Sequence, residues 1–247
     1  METNNQPIES VEAAPRSIWS IIIGIFTSPT QAMEDFKKKP TLLVVIILTF
    51  VLASITGIAT AKYSSMLQYD MLKTSTVIPA EILQEMKTQA ENSNPFVSGL
   101  SGGVVVLVIT LIAAGIAMFI GKFVFAGDSN FKTIWAVILL AGLISMVGGV
   151  LRIPMVLAKG SMLVSYGFAA AMPGKGFTSI LYSILYYCDF FMIWAVIVEG
   201  IGLSKVLGIS KGKGITTAAI TSSFLIAVMI TLSLVGMMFA GVEITFF

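Results

Sequence analysis

Residues 41–61 read TLLVVIILTFVLASITGIATA, a run without a single charge. A helix rises about 1.5 Å per residue, so about 20 apolar residues cross the roughly 30 Å hydrocarbon core of a bilayer. Inside lipid a segment must satisfy its own backbone hydrogen bonds, which makes helix the conformation for such a run. Four further stretches meet the same criterion, at about 100–121, 133–157, 180–203 and 214–240. Composition agrees, because 56% of the 247 residues are hydrophobic and 11% are charged, where a soluble domain carries about 25%. The expected fold class is therefore all-α, a polytopic membrane protein with a five-helix transmembrane bundle.

The segments around these spans divide the rest of the chain. The start, METNNQPIESVEAAPRS, is polar and acidic and lacks the basic first region and small-residue cleavage site of a signal peptide. Residues 1–16 are expected to be a disordered tail, and 17–247 a single membrane domain. The apolar run at 18–26 is too short to span. Between the first two spans, an external loop at 62–99 contains PAEILQEMKTQAEN, where Ile82, Leu83 and Met86 fall at helical spacing after Pro79. That pattern predicts a short amphipathic helix outside the bilayer. Residues 159–179 are moderately apolar but broken by glycines and Pro173. They either extend the third span or re-enter the membrane.

One polar island precedes the first span. In FTSPTQAMEDFKKKP, Ser28 is placed to cap a helix starting at Pro29, with Gln31 at the reciprocal capping-box position. Ala32, Met33 and Phe36 form a short apolar stripe, and Lys37 to Lys39 fall in the last turn, where the helix dipole favours cations. With SIWSIIIGIF upstream, residues 17–39 are expected to be interfacial amphipathic helices lying at the headgroup boundary. The alternative is a solvated charged linker.

Lysine and arginine placement sets the orientation. A cytoplasmic N-terminus puts nine cations inside (Arg16, Lys37, Lys38, Lys39, Lys122, Lys132, Lys205, Lys211, Lys213) and five outside (Lys62, Lys73, Lys87, Lys159, Lys175). The expected arrangement is N-in and C-out, in a plasma (cell inner) membrane. Lys37, Lys38, Lys39, Lys205, Lys211 and Lys213 would meet anionic lipid headgroups. Small residues recur at intervals of four, as in Gly99 and Gly103, Ala113, Ala117 and Gly121, Ala141, Ser145 and Gly149, and Gly236 and Ala240. Such spacing permits close helix approach, either within an ordinary bundle or at an oligomer contact.

Several function classes are poorly supported. The chain has no histidine and a single cysteine, Cys188, inside an apolar run and expected to be a buried thiol. Neither a histidine-based triad nor a metal cluster is available, and no cofactor is expected. GISKGKGITT lacks the spacing of a phosphate loop and a preceding strand. A net charge of +2 gives no reason to expect nucleic acid.

Three ionisable residues remain inside predicted spans, where they are costly and invite a functional or structural explanation. Arg152 lies in the outer half of the third span, Asp189 near the middle of the fourth and Glu199 in its inner half. Arg152 and Asp189 differ in expected depth by about 6 Å, within reach of an arginine side chain. A structural Arg152–Asp189 pair is the first reading, and a proton or ion relay the second. Glu199 is expected to be met by a lysine from the inner face, Lys122, Lys132 or Lys205. Asp189 and Glu199 stand about 15 Å apart on one helix, too far to share a proton.

Three segments together resemble a known family: GIFTSPTQAMEDFKKKP, GDSNFKTIWAVILLAGLISMV and IWAVIVEGIGLSKVLGISKGKGITTAAI. They look like the Yip domain family, the Ypt- and Rab-interacting multi-pass membrane proteins, in its prokaryotic branch. The similarity covers about residues 17–240. It implies a five-span helical domain, and its eukaryotic members associate with Rab GTPases and one another in membrane traffic and shaping. The expected function is a non-enzymatic integral membrane protein that organises membrane or partner proteins through helix–helix association, in homo- or hetero-oligomeric contact. The alternative is a small transporter or permease component that uses Arg152, Asp189 and Glu199 as a polar path.

Overall fold

The structure is a computed structural model that describes residues 17–247. The tail expected at 1–16 lies outside the described residues. Two short helices come first among the described residues, α1 (Ile18–Thr27) and α2 (Pro29–Lys38). They are followed by α3 (Leu42–Leu72), α4 (Ala80–Glu91), α5 (Pro95–Phe119) and α6 (Phe131–Lys159). The last three are α7 (Ile180–Tyr186), α8 (Phe190–Leu207) and α9 (Lys211–Phe239). Among the described residues five helices are long and apolar enough to cross a membrane: α3, α5 with the π-helical turn that continues it to Val124, α6, α8 and α9. The chain is an all-α multi-pass bundle.

Local chemistry fixes most helix starts. Side chains of Ser17, Asn94, Asn130, Ser179, Asp189 and Ser210 each accept a backbone N–H in the first turn of the helix they precede. These contacts satisfy donors that no intrahelical carbonyl reaches. At the other end, Gly160 (φ 65°) and Gly208 (φ 70°) take the left-handed conformation that stops α6 and α8. Ser28 precedes α2, but its side chain makes no cap bond, and Gln31 instead donates to Asp35 at 3.3 Å. The capping box expected there is not formed: the Ser28 N–H donates to the Gly24 carbonyl at 2.8 Å, and Gln31 finds a carboxylate one turn on.

The fourth span also departs from expectation. The helix predicted over 180–203 breaks after Tyr186 and restarts at Phe190, with Asp189 as N-cap. Hydropathy is continuous through this stretch and carries no sign of the break. Residues 159–179 neither continue α6 nor form a second long helix: beyond Gly160 they run through turns and one 3₁₀ turn at Phe168–Ala171. Elsewhere α3 runs on to Leu72, so α4 sits in a shorter connection than the expected loop.

α3 packs mainly on α5 and α6, α8 on α9 and α6, α2 on α8, and α1 on α2. Tight crossings depend on glycine. A Cβ at Gly57 would lie 2.9 Å from the Gly99 Cα, and one at Gly200 would run into the backbone of Ile215. The buried core collects toward the end that carries α1 and α2. Ile134, Val137, Leu139, Leu140 and Ile144 of α6 meet Val198 and Leu203 of α8 there, with Ile25, Met33 and Phe36 from the first two helices. The stripe Ala32, Met33 and Phe36 is thus buried against the bundle, while Trp19 and Ile23 of α1 stay exposed. Residues 18–38 form a foot with one face on protein and the other outward.

Candidate functional site

The polar residues of the membrane domain gather at its two ends and at one point between. At the end opposite the foot, α6 carries Arg152. Its guanidinium Nε donates to the Val164 carbonyl at 2.9 Å, a second N–H reaches the Met162 carbonyl, and the group lies 4.7 Å over the Tyr186 ring. The 160–166 segment therefore turns back onto α6. Tyr182 Oη donates to the Leu163 carbonyl at 2.8 Å, and Tyr186 Oη to that of Met162 at 3.3 Å. Phe177 packs edge-on against both tyrosines. Burial pushes the phenols of Tyr166 and Tyr182 up to about 12, so both stay protonated at physiological pH.

Asp189 belongs to the same neighbourhood but does a different job. Its Oδ1 accepts the Met192 N–H at 2.9 Å as the cap of α8. Among the described residues no ion pair joins it to Arg152, so the expected pair is corrected. The helix break moves Asp189 from mid-span to a helix start, where backbone N–H groups meet its carboxylate; folded-back carbonyls and an aromatic face meet the arginine. Cys188 is partly exposed rather than buried, and its carbonyl accepts the Phe168 N–H at 3.1 Å.

Glu199 of α8 is buried, 9% exposed, and its Oε1 has no hydrogen-bond partner. None of the three lysines expected to meet it does so: Lys122 pairs with Asp128 at 3.3 Å, Lys205 pairs with Glu34 at 2.6 Å, and Lys132 is exposed. Its flanks are closed by the tight α8–α9 crossing, where Gly214 sits against the Gly200 carbonyl and Ser204. Thr221, one of the buried residues of α9, likewise leaves its Oγ1 unpartnered.

At the foot end, Lys205 and Lys37 act as fasteners. Lys205 bridges to Glu34 of α2, and Lys37 Nζ donates to the Lys205 carbonyl at 2.6 Å. Trp194 Nε1 reaches the Ile25 carbonyl at 3.2 Å and ties α1 to α8. Glu34 was the missed member of this set; its spacing from the lysines in sequence gave no signal for a partner on α8. Lys38 pairs loosely with Asp35 at 3.7 Å, while Lys39 and Lys211 are exposed. Lys213 is exposed too, 5.8 Å from the Phe125 ring centre.

A cavity of about 310 Å³ opens between α3, α5 and α6, walled by Ala53, Gly57, Gly102, Val106, Met146 and Gly149 with threonine and serine hydroxyls. Arg152, Asp189 and Glu199 do not line it. The arrangement fastens helices and loops, and it brings no two of the three intramembrane ionisable residues into contact.

Comparison with known proteins gives three findings. A family model described as the Yip1 domain matches residues 23–235. The chain is 24% identical over 232 residues to "Membrane protein YknW" of Bacillus subtilis (strain 168), covering 92% of this chain and 94% of that protein. No solved structure matches.

Proposed function

The chain belongs to the Yip1 domain family, and from that premise we propose that it organises membrane and partner proteins through helix–helix contact without catalysing a reaction. The observation that carries this reading is the fate of its costly polar groups. Arg152 and Asp189 are consumed in holding a loop and a helix end, and Glu199 is enclosed by packed helices. A polar path would instead set such groups along a wet cavity. The outward faces meanwhile offer large apolar surface, as on α9 with Phe224, Val228, Leu232 and Val235.

In the same reading the foot lies on the cytoplasmic side and the C-terminal end of α9 outside. Lys38, Lys39, Lys211 and Lys213 face anionic headgroups of the inner leaflet, where each cation contributes about 1 kcal/mol. Residues 17–247 act as one membrane unit. Photo-crosslinkers placed at Val228 and Leu232 in native membranes test the proposal. A discrete protein adduct that changes with position is the expected result, whereas lipid adducts alone at both positions would contradict it.

A further inference from the structure

The cavity of about 310 Å³ between α3, α5 and α6 is a crevice with a direction. α3 enters the membrane at the foot end with Leu42, so at about 1.5 Å per residue Ala53 lies about 17 Å along it and Ser64 about 33 Å. A hydrocarbon core is roughly 30 Å thick, which puts Ala53 near the bilayer middle and Ser64 at the boundary opposite the foot. Val106, about 17 Å along α5 from its start at Pro95, meets Ala53 at mid-depth. The crevice therefore runs the depth of one leaflet. It stops there because Trp135 Nε1 of α6 donates to Thr110 Oγ1, one turn below Val106, at 3.0 Å and clamps α5 to α6. Gly57, Gly102, Val106, Met146 and Gly149 are half-buried, so the space is open to its surroundings rather than sealed.

Polarity changes along this wall in the order in which a lipid changes along its length. Ala53 and Val106 line the mid-bilayer end, while Thr60, Ser64 and Ser98 line the boundary end. Thr56, Thr60 and Ser64 give their protons to carbonyls of their own helix, those of Leu52 at 3.0 Å, Thr56 at 2.8 Å and Ala61 at 2.8 Å. With their donors spent, these hydroxyls tolerate hydrocarbon beside them. Ser98 differs: among the described residues its Oγ forms no hydrogen bond, which leaves one donor at the mouth, one turn inside the start of α5. A carbonyl at the head of a hydrocarbon chain would take that proton. A transmembrane helix fits poorly, since it is about 10–12 Å across with its side chains and crosses both leaflets, whereas the crevice is closed at mid-depth.

We propose that the crevice holds one acyl chain of a glycerolipid from the leaflet opposite the foot, with Ser98 donating to its ester carbonyl. The full chain in proteoliposomes of phosphatidylcholine that carries a diazirine at the end of one acyl chain tests this, with photoadducts mapped by peptide mass spectrometry. Adducts at Ala53, Val106 and Met146 are expected to exceed those at Val105, which is exposed on the same helix at the same depth. A Cβ at Gly102 would meet no atom within 4 Å, so Gly102→Leu starts a side chain in open space and fills the crevice. It should abolish the crevice adducts, and Ser98→Ala should lower them without touching the packing. Gly115→Leu, on the same helix and also facing open space, should leave them in place. The proposal is overturned if Val105 and the crevice are labelled alike, or if neither Gly102→Leu nor Ser98→Ala lowers the crevice adducts. It is overturned too if Gly102→Cys, in a Cys188→Ser background, forms disulfide dimers, which would seat a second copy of the chain there.

Discussion

An arginine within a membrane helix costs about 2.5–3.5 kcal/mol on insertion scales, and Arg152 meets this cost without a counter-ion. Two carbonyls of the returning loop and the face of Tyr186 take the place a carboxylate would have filled. Hydrogen bonds to a charged group contribute about 1.5–3 kcal/mol each, so Arg152→Gln should cost several kcal/mol and release the 160–179 segment. Faster hydrogen exchange at residues 161–167, with the exchange of α8 little changed, is the expected readout. Asp189 should respond differently. As a helix cap it is replaceable by asparagine, so Asp189→Asn should be near neutral while Asp189→Ala costs about 1 kcal/mol. Equal losses for Asp189→Asn and Arg152→Gln in thermal unfolding would restore the ion pair.

Among elements, the α8–α9 crossing depends most visibly on one residue type. Gly200 and Gly214 let the backbones touch, so Gly200→Ala should overpack the seam and cost about 1–3 kcal/mol. Gly115 of α5, also helical but facing open space, is the control, since Gly115→Ala should be neutral or stabilising by about 0.5–1 kcal/mol. Comparable unfolding temperatures for the two variants would refute the close crossing. The helices themselves were legible because hydropathy is a property of each segment alone, and so were α4 and the helix within FTSPTQAMEDFKKKP. The break before Phe190 was hidden, since ILYSILYYCDFFMIW is apolar throughout and Asp189 reads as an intrusion. An aspartate just ahead of an apolar run is also an N-cap signal, which is the clue that would have revealed it. What Arg152 hydrogen-bonds was not legible at all, because those partners are backbone carbonyls and carry no side-chain identity. The Glu34–Lys205 bridge, which joins residues far apart in sequence, was hidden because nothing local marks the pairing.

For the whole molecule, the foot and the bundle form one unit, with α2 riveted to α8 and the core densest where they meet. The far end is closed by the C-terminal segment bridging to the residues before α7. In the proposed function no wet passage runs between these ends through Glu199. Single cysteines at Lys39, Glu85 and Glu199, each in a Cys188→Ser background, test it by reaction with a small charged thiol reagent. The cysteine replacing Glu85 should react in intact cells, that replacing Lys39 only after permeabilisation, and that replacing Glu199 from neither side. Rapid labelling at position 199 in a protein that still unfolds cooperatively would establish a water path and contradict the account.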